Sequence, residues 1–383
     1  MAADWSELPE DLSLLVLEKL PVLEFIRFGA VCTSWRSVQK SKKDCAASLG
    51  LPWMMLCDDD HENQTRGFFS ITEGKTHRLV LPEIIGKRCC GSSHGWLMTI
   101  DRKANMNLLH PLSRTQIPLP HPPPPGEELP DDYNYEPGFL QCISVNKAVL
   151  SADPYVSPED CVVMSIYGHI GKLAFCRLSD KSWTLVSQYP FLRFLDVCYY
   201  QGKFYGVDCG GKTVVCHIDD RNNPHVTYLL RRGDPHKTGT RYLVESMGDL
   251  LHVVRILGGF TDEEDNFRYT TKGFEVYKLD SKGTTWERVE SLGDRALFIG
   301  YNHGISVSSS ANDYYHPMCK NNAIYFTDNH DTDTYHDDGM SPGCEDHGVY
   351  NLSDGSFESF FPRSVTHPKL SPPIWCTPSI INS

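Results

Sequence analysis

The chain has 383 residues, 40% hydrophobic and 22% charged, a balance that folds rather than staying disordered. Its 49 acidic residues against 36 Lys and Arg leave a net charge of −13, which argues against a sequence-independent grip on nucleic-acid phosphates. No apolar run approaches the roughly 20 residues that cross a bilayer, and the acidic start (Asp4, Glu7, Glu10, Asp11) lacks the basic region of a secretory leader. The expectation is a chain of the cytoplasm, the nucleus or both, not a secreted one, with no nucleic-acid or membrane partner. Its 14 cysteines are scattered, form no Cys-x-x-Cys pair, and read as reduced thiols.

Residues 4–45 read as three short helices. Pro9 suits a first helical position, and Glu10 and Asp11 suit the positive end of the helix dipole. Leu12, Leu15, Val16 and Leu20 follow at helical spacing, with Leu14 and Leu17 widening the stripe. Pro21 ends this helix. A second carries Leu23, Ile26 and Phe28 and closes at Gly29. Thr33 or Ser34 is placed to cap a third, which holds Trp35 and Val38. So small a unit has more apolar surface than it can bury alone.

Leu8-Pro9-Glu10-Asp11-Leu12, then Val16 and Leu20-Pro21, then Val31-Cys32-Thr33-Ser34-Trp35-Arg36, closely resembles the F-box. The resemblance implies docking onto a Skp-type adaptor and, through it, a cullin–RING ubiquitin ligase. By position it implies that Leu8, Pro9, Leu12, Val16, Leu20, Pro21, Val31, Cys32 and Trp35 form or support the adaptor-binding surface. Lys40-Ser41-Lys42-Lys43 reads as a basic helix end.

From residue 50 to 378 short apolar segments alternate with Gly, Asn and Asp turns. One recurring piece is a turn and an apolar strand, as at His94-Gly95, Ile170-Gly171, Gln201-Gly202, Met247-Gly248 and Asn321-Asn322. The other is a strand, a polar turn and a strand, with turns at Gly74, Ser113, Asp180, Asp219, Ser281 and Asp354. The spacing of 39 residues from Gly74 to Ser113, and again from Asp180 to Asp219, suits one four-stranded propeller blade. The wider gaps hold inserts near 121–137, which begins with a polyproline spacer at Pro122–Pro125, and near 327–347. The expected fold is a small all-α unit followed by an all-β propeller of about six four-stranded blades. Trp183, Trp286 and Phe357 follow equivalent turns and are expected to pack between blades.

Ala296–Asn302, Asn322–Asp328, Gly348–Gly355 and Pro372-Pro373-Ile374-Trp375 resemble the plant F-box family with a KIB-type β-propeller. His303-Gly304 departs from the polar-serine step of that pattern, and the 331–347 stretch looks particular to this chain. The resemblance implies a substrate-recognition subunit whose propeller holds a protein for ubiquitination.

The sequence offers no His-Glu-x-x-His. The reading is a non-catalytic adaptor without cofactor or metal. The His330–His347 cluster and the basic Arg231–Lys237 stretch are taken as loops. Candidate substrate contacts are Arg193, Phe194, Arg241, Tyr301, His303, Tyr314 and Tyr315. The alternatives are a non-degradative F-box scaffold and an enzyme using the propeller's central opening.

Overall fold

The structure, a computed structural model, describes residues 5–41, 51–123, 144–168, 170–187, 192–230, 239–261, 267–308, 319–328, 346–361 and 373–380. Three helices come first: α1 (Glu10–Leu17), α2 (Val22–Phe28) and α3 (Thr33–Ser41), after a 3-10 turn at Trp5–Glu7. Six sheets follow. Strands β1 (Trp53–Asp60), β2 (Thr65–Ser70) and β3 (Lys75–Val80) belong to the closing blade. The next contains β4 (Arg88–Ser93), β5 (Trp96–Ile100), β6 (Met106–Leu109) and β7 (Gln116–Pro118). Then come β8 (Val145–Leu150), β9 (Val162–Tyr167), β10 (Lys172–Arg177) and β11 (Thr184–Leu185), and after them β12 (Phe194–Tyr200), β13 (Lys203–Asp208), β14 (Thr213–His217) and β15 (His225–Leu230). The next blade has β16 (Gly239–Ser246), β17 (Asp249–Thr261), β18 (Phe267–Leu279) and β19 (Trp286–Val289). The fifth has β20 (Arg295–Ile299), β21 (Ile305–Ser308), β22 (Ala323–Phe326), β23 (Gly348–Asn351) and β24 (Phe357–Glu358). Finally β25 (Ile374–Cys376) returns to pair with β1, Met54 opposite Trp375, and closes the ring.

Each gap between blades is filled by one apolar cluster. Trp96, Met98, Ala148 and Cys176 fill the first gap, and Val149, Phe175, Phe194 and Phe204 the second. Cys198, Val207, Leu243 and Leu250 fill the next, and Val244, Val253, Leu297 and Phe326 the one after. Met54, Phe69, Phe298 and Trp375 join the last two blades, and Met55, Ile374, Cys89 and Leu97 seal the ring. Inner and second strands such as β4 and β9 are buried at every residue because both of their faces are covered, whereas the outer strand β3 is exposed at every second residue or more.

Five of the six turns named from the sequence join the third and fourth strands of different blades, and Asp354 joins the last two strands, β23 and β24, of the fifth. His94-Gly95, Gln201-Gly202 and Met247-Gly248 join first and second strands, and all six residues have positive φ. That is the two-residue hairpin whose twist matches the strands. Gly171 differs, since it joins the second and third strands of its blade. Trp183 and Trp286 belong to inter-blade clusters as expected. Phe357 does not: it lies against Phe326 and Tyr350 of its own blade and is 43% exposed. The fifth blade also departs from four strands. Its β20 inserts between β21 and β22 and runs parallel to β22.

The segment that joins β20 to β21 crosses the axis of the propeller. Tyr301 lies under the Arg88 guanidinium of β4, and the His303 N–H donates to Ser92 O at 3.0 Å. Asn302 Oδ1 accepts from the Trp375 N–H of β25, and Gly304 bridges Val244 of β16. Beside this plug, Lys147 Nζ of β8 meets Asp196 Oδ1 of β12 at 2.5 Å, with the two side chains 5% and 1% exposed. Asp196 also accepts the N–H of Leu243 from β16, so one carboxylate ties three blades.

The inner strands run from one face of the disc to the other. Their ends, the first hairpin turns and residues 377–380 share one face, and the helices sit there. The other connections between successive blades, and the one between β22 and β23, leave from the opposite face, whereas β20 starts beside Ser246 and Asp249 on the helix-bearing face. Most of the expected inserts at 121–137 and 327–347, and the Arg231–Lys237 stretch, lie outside the described residues. At the edges of the second insert Arg255 is buried and donates to Asp346 Oδ2 at 2.9 Å, while the Tyr269 hydroxyl donates to Asp328.

Replacing Lys147 by Met should destabilise the fold by about 3 kcal/mol, because Asp196 is left buried without its counter-charge. The urea midpoint reads this, and Lys147→Met combined with Asp196→Leu should recover much of the loss. A second expectation concerns pH. Burial lowers the His252 pKa to about 3, so the fold prefers the neutral imidazole. That preference contributes fully above the ordinary histidine value near 6.5 and is lost as pH falls toward the folded value. Between about pH 6.5 and 5, His252→Leu should therefore flatten the fall in stability by up to about 2 kcal/mol relative to the parent chain. Identical pH curves would refute the assignment.

Candidate functional site

Helix α1 is apolar on two sides. Leu17 is buried and Leu14 packs beside it in a cluster with Phe25, Phe28 and Val38. Leu12, Leu15 and Val16, at i, i+3 and i+4, face out and are 45%, 57% and 45% exposed. Val31, at the start of the last helix's approach, is 60% exposed, and Trp5 also stands out. Helix α2 faces the other way: Val22 is buried against Trp53, Met55 and Phe68 of the propeller, with Leu23 and Ile26 packed beside it. The unit therefore uses one flank for its own propeller and leaves another uncovered.

The nine expected docking residues divide between these environments. Leu12, Val16 and Val31 are exposed, as are Pro9 and Pro21. Leu8, Leu20, Cys32 and Trp35 are half-buried. Leu20 and Trp35 belong to the unit's own core, where Trp35 stacks on Phe28 with centroids 4.3 Å apart and its Nε1–H donates to Trp5 O. Leu15, a member of the sequence stripe but not of the expected surface, is the more exposed neighbour. Its position three residues after Leu12 was the signal.

Local structure differs from expectation in small steps. Pro9 and Pro21 are the residues just before α1 and α2, not inside them, and their carbonyls accept the first helical hydrogen bonds from Ser13 and Phe25. Neither Thr33 nor Ser34 caps α3. Cys32 does: its Sγ accepts the Trp35 N–H at 3.4 Å, and its carbonyl accepts that of Arg36.

The expected substrate contacts scatter. Phe194 is buried in the second inter-blade cluster, so it is a packing residue and not a surface contact. Arg241 is also buried, its Nε donating to Cys209 O, and it is not offered to a protein. His303 sits in the axial plug, where its ring lies 3.8 Å from Cys198 Sγ and burial lowers its pKa to about 3. Both corrections of Phe194 and Arg241 have one cause: strand alternation does not say which blade covers a residue. Arg193 and Tyr301 are half-buried at the face opposite the helices. Tyr314 and Tyr315 lie outside the described residues.

Known proteins resemble the chain in both parts. The F-box domain matches residues 5–45, and the KIB1-4 beta-propeller matches residues 68–351. The F-box protein SKIP23 of Arabidopsis thaliana is 27% identical over 412 residues, covering 98% of this chain and 96% of its own. The F-box protein At2g17036 of the same plant is 26% identical over 344 residues, 80% of each chain.

Trp35→Ala should loosen the helical unit by about 2 kcal/mol even with no partner present, because the stack on Phe28 is lost. Near-ultraviolet circular dichroism and hydrogen exchange over residues 10–41 check this. A partner assay on that variant alone then reports folding as much as docking.

Proposed function

Since the chain belongs to the KIB1-4 β-propeller family and carries an F-box domain at residues 5–45, we propose that it is the substrate-recognition subunit of a Skp–cullin–F-box ubiquitin ligase. The observation that carries this is the uncovered strip Leu12, Leu15, Val16 and Val31, on a unit whose other flank is already seated on its propeller. An apolar helix face of this kind fits a partner's groove. A Skp-type adaptor is that partner in this reading, and the cullin–RING assembly follows through it.

The propeller then holds a protein substrate on the face turned away from the helices. Support comes from the topology: the helix-bearing face is made largely of short hairpin turns, while all connections between blades but the one into β20 leave from the other. Arg193 and Tyr301 are the expected residues that remain on that face. The chain supplies no reacting group in this account. It raises the local concentration of a substrate lysine beside the charged conjugating enzyme. The alternative of an enzyme working in the central opening meets Tyr301–Gly304 in that place. No helix among the described residues is long and apolar enough to cross a membrane, and the proposed location is cytoplasm or nucleus.

Leu15→Asp and Val31→Asp test the docking surface without touching the core. Each should weaken binding of the full chain to a purified Skp-type adaptor at least tenfold, with an unfolding midpoint close to the parent's. Unchanged affinity in both variants would remove the basis for the ligase reading.

A further inference from the structure

Among the described residues, one from far along the sequence packs against the helical unit's apolar core. Ile380 packs with Leu17, Phe25, Phe28 and Val38. It reaches them at the end of a short segment that follows β25, the strand that closes the ring. That segment is itself held. The side chain of Ser379 makes a 2.9 Å hydrogen bond with His110 Nε2 at the end of β6. Its Oγ also occupies the space beside Gly95, where an added Cβ would lie 1.9 Å away, closer than any side chain tolerates. Gly95 has φ +82, in a turn that favours glycine on backbone grounds as well. The segment thus runs over the first two strands' turn of one blade before it enters the helices.

We propose that residues 377–380 are a strap that completes the core of the helical unit, so that the docking helices hold their working shape only on a closed propeller. The physical reason lies in size. Four buried residues make a small core, and a unit of this length does not reach independent stability. The unit takes its missing packing from two places: Val22 on the closing blade and Ile380 from the strap. The second exists only after β25 has paired with β1, and the first is completed by Ile374 and Cys376 of that same strand. A chain whose propeller is incomplete therefore presents a loosened docking surface and engages the adaptor poorly. This deepens the docking reading and rests on it for its last step, but the packing step stands apart from it.

The test uses the full chain in three forms: parent, Ile380→Asp and Ile380→Val. Hydrogen exchange of peptides covering residues 10–41, measured without any partner, should accelerate at least tenfold in Ile380→Asp. Peptides from β12 and β16 should exchange as in the parent. Affinity for a purified Skp-type adaptor should fall at least tenfold in Ile380→Asp and return to within about threefold of the parent in Ile380→Val. Parent-like exchange over 10–41 in Ile380→Asp overturns the strap. Faster exchange with parent-like affinity overturns the coupling to docking. A parent chain that binds no adaptor defeats the docking reading instead, and with it the coupling; the exchange result still decides the strap.

Discussion

Pairing of β25 with β1 is the contact on which the other features depend. A ring of blades closes only when the last strand of the chain joins the blade that the first strands began, and here three residues, Ile374 to Cys376, supply it. They do more than pair. Trp375 enters the cluster that joins the fifth blade to the closing one, and Ile374 and Cys376 enter the next. Two of the six apolar clusters thus need this strand. The Trp375 N–H also donates to Asn302, which belongs to the segment crossing the axis.

The axis shows how polar groups are tolerated where blades converge. Lys147 and Asp196 would each be costly if buried singly. Together they join adjacent inner strands, and the spare carboxylate oxygen satisfies a backbone N–H of a third blade. Bulges in β4, β8 and β12 mark the same region, and a bulge re-aims the residues around it. Ordered polar contacts of this kind specify register between blades in a way that apolar packing does not.

Local grammar was legible and remote contact was not. The six polar turns from Gly74 to Asp354 were readable because a hairpin writes its geometry in two to four consecutive residues. The same holds for the helix boundaries at Pro9 and Gly29, within one position, whereas the first helix stops at Leu17, four residues before Pro21. The fifth strand of the fifth blade was missed because a strand inserted beside a parallel neighbour has the same alternation as any other. Phe194 and Arg241 were expected among the substrate contacts, yet the adjoining blade covers them. Ile380 could not be found from its neighbours, since nothing near residue 380 announces a helix more than three hundred positions earlier. Leu15 is the intermediate case: periodicity placed it on a stripe, and only the packing of Leu14 and Leu17 shows which side of that stripe is turned outward.

A receptor that works by positioning needs its two binding ends held at a fixed relation. Flexible tethering raises effective concentration only as far as linker statistics allow, whereas a rigid mount sets distance and direction together. In this chain the mount has two attachments. Helix α2 presses Val22 into the closing blade, and Ile380 enters the helices from behind. A single contact would leave a hinge, since a body pinned at one point can still rotate. A second contact leaves rotation only about the line that joins the two. The same apolar residues that make the unit too small to stand alone therefore restrict its orientation, and the uncovered strip on α1 points in a direction constrained by the propeller.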